Sequence, residues 1–322
     1  MHAIVVDAYG GPEALTYAER PDPVPGPGEV LVEVAAAGVN FIDVYHREGR
    51  YPLPLPLVPG SEGVGTVRQV GAGVTHAAVG DLVAWPQVPG SYAELAVVPE
   101  RMLVHVPDGI DPQVAAAAMV QGLTAHYLTH STYAVRDGDQ ILLHAAAGGM
   151  GLLLTQLIKL RGGRVIGTVS SEEKEKLARA AGADEIIRYD QVPFPARVKE
   201  LTGGRGVDAV YDGVGKTTFE GDLEAVRPRA MIALYGAASG PVPPFDLQRL
   251  SGAGSLFVTR PTLGHYIADR DELLGRAADL FEWIAAGQLT FSISQRYPLA
   301  EARRAHEDLE ARRTTGKLIL VP

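Results

Sequence analysis

One segment near the middle of the chain limits what it can fold into more than any other. Ile141-Leu142-Leu143-His144 is an apolar run, Ala145-Ala146-Ala147-Gly148-Gly149-Met150-Gly151 follows it without a break, and a helical stretch continues to Leu160. A strand that turns through small residues into a helix lets the backbone approach a ligand closely. The free N–H groups of the helix start then favour a phosphate there. A Gly-rich turn can also be a mere tight connection, so its surroundings decide.

Those surroundings are a serial alternation. Arg164 to Val169 reads as a second strand, Glu173 to Ala180 as a helix, Glu185 to Ile187 as a strand and Phe194 to Leu201 as a helix. Asp208 to Tyr211, Phe219 to Val226 and Met231 to Tyr235 extend the series as strand, helix and strand, with a further apolar run at Ser255 to Val258. Strands alternating with helices predict a parallel sheet, doubly wound, with ligands at the carboxyl ends of its strands. In that setting the turn at Ala145 to Gly151 is read as a dinucleotide site.

The first third has a different rhythm. Val30 to Val34, Gly63 to Val67 and Asp81 to Trp85 are short apolar runs separated by turn formers, which predicts a β-rich unit. The Pro-dense segments Pro21 to Pro27 and Pro52 to Pro59 cannot lie inside helices or central strands and are expected to be ordered loops. Near the end, Leu273, Leu274, Ala277, Ala278, Phe281 and Ile284 recur at helical spacing between Glu272 and Ala286, the pattern of a core-packing helix.

Composition excludes several functions. A net charge of -9 repels polyanions, and no basic cluster with interleaved aromatics offsets it, so nucleic acid is not expected as a partner. No apolar run is long enough to span a bilayer, and Met1 to Asp7 do not pair a basic stretch with a long apolar one; the expectation is a cytoplasmic protein with no membrane partner. With no cysteine in 322 residues, disulfides, thiolate catalysis and Cys-based zinc sites are all excluded.

The end of the second strand bears on the choice of cofactor. NAD-specific sites place Asp or Glu there to hold the ribose 2′-hydroxyl. Here the strand ends Val169-Ser170-Ser171, with Lys174 one turn on. Hydroxyls and an ammonium suit a 2′-phosphate, which a carboxylate would repel. Glu172 and Glu173 stand close by, in a position equally suited to the solvent side of a first helical turn. The reading is NADPH.

Several further segments carry a resemblance: Gly38-Val39-Asn40-Phe41-Ile42-Asp43-Val44-Tyr45, Pro59-Gly60-Ser61-Glu62-Gly63-Val64-Gly65, Gly80-Asp81-Leu82-Val83, Val258-Thr259-Arg260-Pro261 and Gly316-Lys317. Together with the Gly-rich turn, in order and essentially end to end, they resemble the medium-chain dehydrogenase/reductase superfamily and, within it, the zinc-free quinone oxidoreductase (ζ-crystallin-like) branch. The resemblance implies a GroES-like catalytic domain over residues 1–124 and 262–322 and a Rossmann NADPH-binding domain over 125–261. Zinc-dependent relatives carry Gly-His-Glu where this chain has Gly60-Ser61-Glu62, so no metal is expected. Hydride transfer to an acceptor needing little activation, a quinone or related conjugated carbonyl, is the implied activity.

Carried over residue by residue, the resemblance makes Asn40, Tyr45 and Tyr127 catalytic candidates, with Phe41, Asp43 and Val44 beside them on the nicotinamide side. Gly149 and Met150 would meet the pyrophosphate, and Ser170, Ser171, Lys174 and Tyr189 the 2′-phosphate and adenosine. Gly236, Ala237, Val258, Thr259, Arg260 and Arg312 would line the rest of the channel. His126 is a possible proton donor by its chemistry, though such a residue is more often packed. Two other readings stay open: a reductase of 2-alkenal or enoyl double bonds, for which His46 to Arg50 is a thin phosphate-binding candidate, and a nucleotide-binding protein without turnover. The family implies a homodimer joined at sheet edges, with Ser255 to Val258 as the edge.

Overall fold

The computed structural model describes residues 1–311 and 314–322. Contacts divide the chain into two units, Met1–Leu123 with Tyr266–Pro322, and Thr124–His265.

The second unit is built on a six-stranded parallel sheet. Across the sheet the strands run Glu185–Arg188, Arg164–Val169, Gln140–Leu143, Val207–Asp212, Val226–Leu234 and Phe257–Thr259. In chain order this is 3-2-1-4-5-6, the Rossmann arrangement, whose order reverses between the first and fourth strands. The central strands carry near-continuous apolar runs because helices cover a parallel sheet on both faces: Ile141, Leu142, Leu143, Val165, Ile166, Ala209 and Val210 are all fully buried. Gly151 sits where a helix crosses close over the turn; a Cβ there would stand 2.3 Å from the Ala145 carbonyl oxygen and 2.6 Å from the Ala146 carbonyl carbon.

Several element bounds differ from the sequence reading. The strand expected at Met231 begins at Val226, and the edge strand is only Phe257–Thr259, because Ser255 has a left-handed φ of 56° that cannot continue a ladder. The helix after the second strand starts at Glu172, with Ser171 as its N-cap.

In the first unit, Glu29–Val39 is the axis of a seven-stranded sheet, pairing antiparallel with Glu62–Val70, Leu95–Pro99 and Lys317–Val321. Ile293–Pro298 joins outside Lys317–Val321, so the end of the chain completes a sheet begun near its start. The helix Arg270–Ala285 is capped by Asp269, whose carboxylate accepts from the N–H groups of Asp271 (2.9 Å) and Glu272 (3.1 Å). It buries Leu273, Ala277, Leu280 and Phe281. Ala278, expected in the core, is exposed instead, and Leu274 and Ile284 are half-buried. Among the described residues no helix is long and apolar enough to cross a membrane.

Candidate functional site

In the second unit the expected site residues outside the helices follow the carboxyl ends of strands, apart from Val258 and Thr259, which lie within the edge strand, and the sheet being parallel brings those ends to one edge. The Gly-rich turn follows Gln140–Leu143, Ser170 follows Arg164–Val169, Tyr189 follows Glu185–Arg188, Gly236 and Ala237 follow Val226–Leu234, and Arg260 follows Phe257–Thr259. Gly149 and Met150 open the helix Gly149–Leu160, so their N–H groups belong to the unsatisfied first turn. Gly236 is held against a second Gly-rich turn: a Cβ on it would meet the Gly213 carbonyl oxygen at 2.5 Å.

Lys174 Nζ donates to Ser170 Oγ at 3.4 Å, so the ammonium stands at the end of the second strand. Ser171 does other work. Its Oγ accepts from the Lys174 N–H at 3.3 Å as the helix cap, and its hydroxyl holds the Glu173 carboxyl below the usual carboxylate range, after that residue's own backbone. Glu172 and Glu173 both face solvent, and Glu172 pairs with Lys176 at 2.8 Å. Tyr189 is half exposed, and Arg260 Nη1 donates to the Leu234 carbonyl at 2.7 Å. Tyr127 and His126 are both buried, and the His126 ring stacks on His130 with centroids 4.3 Å apart.

In the first unit Asn40 precedes the helix Phe41–Arg47. Asp43 reaches back one turn, and its Oδ2 accepts from the Asn40 N–H at 2.9 Å. Its Oδ1 accepts from the Ser61 hydroxyl at 2.5 Å, and the Tyr92 hydroxyl donates to Oδ2 at 3.1 Å. Burial pushes the Asp43 carboxyl up to about 6, against the pull of Ser61, the Asn40 N–H and the Lys317 charge. Asp43 has no exposed surface and both its oxygens are engaged, so it supports Asn40 from beneath. Tyr45 lies on the same helix, edge-on to Tyr51 at 5.6 Å, with the Arg50 guanidinium 5.3 Å from its ring centre. Phe41 is half-buried and Val44 buried.

Behind Asp43 runs a chain that sequence reasoning missed. Tyr92 Oη lies 3.1 Å from His306 Nε2, and His306 Nδ1 lies 3.2 Å from Arg47 Nη1. Guanidinium only donates, so Nδ1 is the acceptor and Nε2 carries the proton. Every hydrogen in the chain therefore points toward Asp43. Arg47 is itself fully buried and forks onto Glu310 at 2.8 and 3.1 Å, which removes it as a phosphate-binding candidate. Arg312, expected in the cofactor channel, lies outside the described residues. Among the described residues, no group of three or more His, Cys, Asp or Glu is placed to hold a metal ion.

Two family models match the chain: the alcohol dehydrogenase GroES-like domain over residues 26–108 and zinc-binding dehydrogenase over residues 149–278. A quinone oxidoreductase of Pseudomonas aeruginosa is 51% identical over 98% of both chains, and a 2-haloacrylate reductase of a Burkholderia species 42% identical over 99% of this chain and 98% of the relative. The crystal structure of Escherichia coli quinone oxidoreductase complexed with NADPH superposes with a TM-score of 0.98 at 40% identity, covering all of both chains. With Ser61 at the position of the metal-binding His and no cysteine anywhere, the chain belongs to the medium-chain dehydrogenase/reductase superfamily, in its zinc-free quinone oxidoreductase branch.

Proposed function

We propose that the protein is a cytoplasmic, NADPH-dependent quinone oxidoreductase that works without zinc. The observation that carries the cofactor is the Lys174–Ser170 pair at the end of the second strand, on the same sheet edge as the Gly-rich turn. The residues fit the group. At Gly148 and Gly149 the turn has no side chain to keep a pyrophosphate from its N–H groups, and a cation with a hydroxyl stands where NAD-specific folds have an acid. The complex of the E. coli relative with NADPH supports the same cofactor.

Bound NADPH would supply a hydride at its nicotinamide ring. The protein's part is to bind, orient and exclude water. Gly149 and Met150 would present N–H groups to the pyrophosphate, and Ser170, Lys174 and Tyr189 would hold the adenosine end. Gly236, Ala237, Val258, Thr259 and Arg260 would border the channel. Asn40, Phe41, Val44, Tyr45 and Tyr127 would border the nicotinamide, with Tyr45 held in place by Tyr51 and Arg50.

The test is direct. Purified protein should oxidise NADPH in the presence of small quinones; loss of NADPH absorbance with none of a panel of quinones and conjugated carbonyls would remove the proposal. The full-length similarity to the 2-haloacrylate reductase supports a second reading, reduction of an activated carbon–carbon double bond. Product identification separates it from quinone reduction. We also infer a homodimer. Phe257, 58% exposed on the edge strand of the parallel sheet, supports pairing through that edge, which would otherwise be an association hazard. Elution at monomer size in gel filtration would exclude it.

A further inference from the structure

His144 directly follows the first strand of the parallel sheet and is the residue immediately before the Gly-rich turn. Its ring is buried and doubly engaged: Nδ1 lies 2.9 Å from Thr168 Oγ1 on the second strand, and Nε2 lies 2.7 Å from Asp222 Oδ1 on the helix Phe219–Ala225. Asp222 has no exposed surface, and its Oδ2 meets no hydrogen-bond donor among the described residues. A second buried carboxylate, Asp212, lies beside it at the end of the fourth strand. The first and fourth strands are those between which the strand order reverses, so the cluster underlies the crevice where such sheets bind their ligands.

The two acids are provided for unequally. Asp212 accepts from the N–H groups of Val214 (2.6 Å) and Gly215 (3.0 Å) and from the Thr218 hydroxyl (2.8 Å). Among the described residues Asp222 has His144 as its one donor, and its other close polar neighbour is the Asp212 carboxyl. A second buried carboxylate against the first is costly unless a proton sits on Asp222 or on the imidazole. The other neighbour of the His144 ring is the edge of Phe194, which carries no charge.

We propose that His144 and Asp222, with Asp212 beside them, are a proton-holding cluster that takes up one proton from solvent when a dinucleotide's pyrophosphate settles on the adjoining turn. This rests on the reading of that turn as the NADPH site. The balance is simple: protein, NADPH and one proton give a protonated complex, with no bond to carbon made or broken. The pyrophosphate brings negative charge next to a group already poised to hold a proton. Burial pushes Asp222 up to about 7, with His144 drawing it down and Asp212 pushing it further up; His144 is held above its ordinary value by Asp222 and Asp212 against its own burial. His144 and Asp222 are thus positioning residues, joining the turn to the second strand and to the helix Phe219–Ala225.

Isothermal titration calorimetry of NADPH into the intact protein, in two buffers of different ionisation enthalpy, counts the protons. The measurement belongs near pH 8, because a phosphate monoester with a second ionisation near pH 6 then has no proton left to release. The expected result is an uptake of roughly half to one proton, with the dissociation constant weakening by up to ~10-fold per pH unit by linkage. Asp222→Asn, which keeps an acceptor for His144, should abolish the uptake while NADPH still binds. His144→Gln serves as a second variant if the first does not fold. No uptake in the unaltered protein, or equal uptake in a folded variant, overturns the proposal. Absence of NADPH binding to the unaltered protein instead overturns the cofactor reading, and this proposal with it.

Discussion

Lys317 Nζ stands 2.7 Å from Asn40 Oδ1, and the same ammonium meets Glu62 Oε1, with Lys317 2% and Glu62 0% exposed. Asn40 Nδ2 in turn donates to Glu62 Oε1 at 2.8 Å, and the Val120 N–H donates to Oε2. The Asn40 amide is thereby committed on both sides, and a lysine from the last strand fixes a residue at the start of the first helix. Lys317→Met would leave a buried carboxylate without its cation, a loss of about 3–5 kcal/mol. Urea denaturation should report that loss, and adding Glu62→Gln should return part of it. An unchanged midpoint in the single variant would show that the pair contributes nothing.

That lysine marks where sequence reasoning stopped. The Rossmann unit was legible because its strands are continuous apolar runs separated by helices of typical length, and Ala145 to Gly151 falls at the first such junction. Ser170 and Lys174 were legible because strand and helix put them one turn apart. Tyr92, His306, Arg47 and Asp222 gave no such signal. Their partners lie 49 to 263 residues away in sequence, and a polar residue among mixed neighbours looks the same whether it is solvated or sealed inside a network. Asp43 was named through the resemblance alone, and its partners Ser61 and Tyr92, 18 and 49 residues on, are visible only in the fold.

Gly151→Ala tests the turn. The added methyl would stand 2.3 to 2.7 Å from three backbone atoms of Ala145 and Ala146, which have no rotamer to escape into. The strand-to-helix junction must shift, at a cost of about 1–3 kcal/mol. A shifted turn should weaken NADPH binding by at least ~10-fold, since the N–H groups of the helix start lose their aim. Fluorescence titration of NADPH on variant that remains folded by circular dichroism checks this. Unaltered affinity would remove the turn from the binding site.

Lys174→Ala separates the two nicotinamide cofactors. Removing the ammonium beside Ser170 should raise the NADPH dissociation constant by about 10-fold or more, as expected for a charge-assisted bond of ~1.5–3 kcal/mol. Binding of NADH, which has no 2′-phosphate, should change little. An equal loss for both cofactors would assign Lys174 to some other part of the nucleotide, and no loss for either would make it an ordinary solvated residue.

The pH dependence of stability has opposite signs at two points of one network. Burial, then the Arg47 charge, pushes the His306 imidazole down to about 3 from its ordinary 6.5. On acidification the unfolded chain takes up this proton first. The stability contributed by a neutral His306 is therefore whole above pH 6.5 and is lost as pH falls toward 3, at about 1.4 kcal/mol per pH unit. Asp43 works the other way. With its carboxyl raised to about 6 from 3.8, the folded state protonates first, and stability is gained as pH falls through that window. The two partly cancel in the unaltered protein, so a variant is needed to see either. His306→Gln, whose amide can still donate to Tyr92, should be the less stable form at neutral pH, by about 1–3 kcal/mol for the disturbed buried bonds. Its deficit should shrink by about 2 kcal/mol at pH ~5, because only the unaltered protein suffers the histidine's titration. Urea denaturation of both forms at the two pH values measures the difference. A deficit independent of pH would mean that His306 titrates alike in the folded and unfolded states, and that the hydrogens of the chain do not all point toward Asp43.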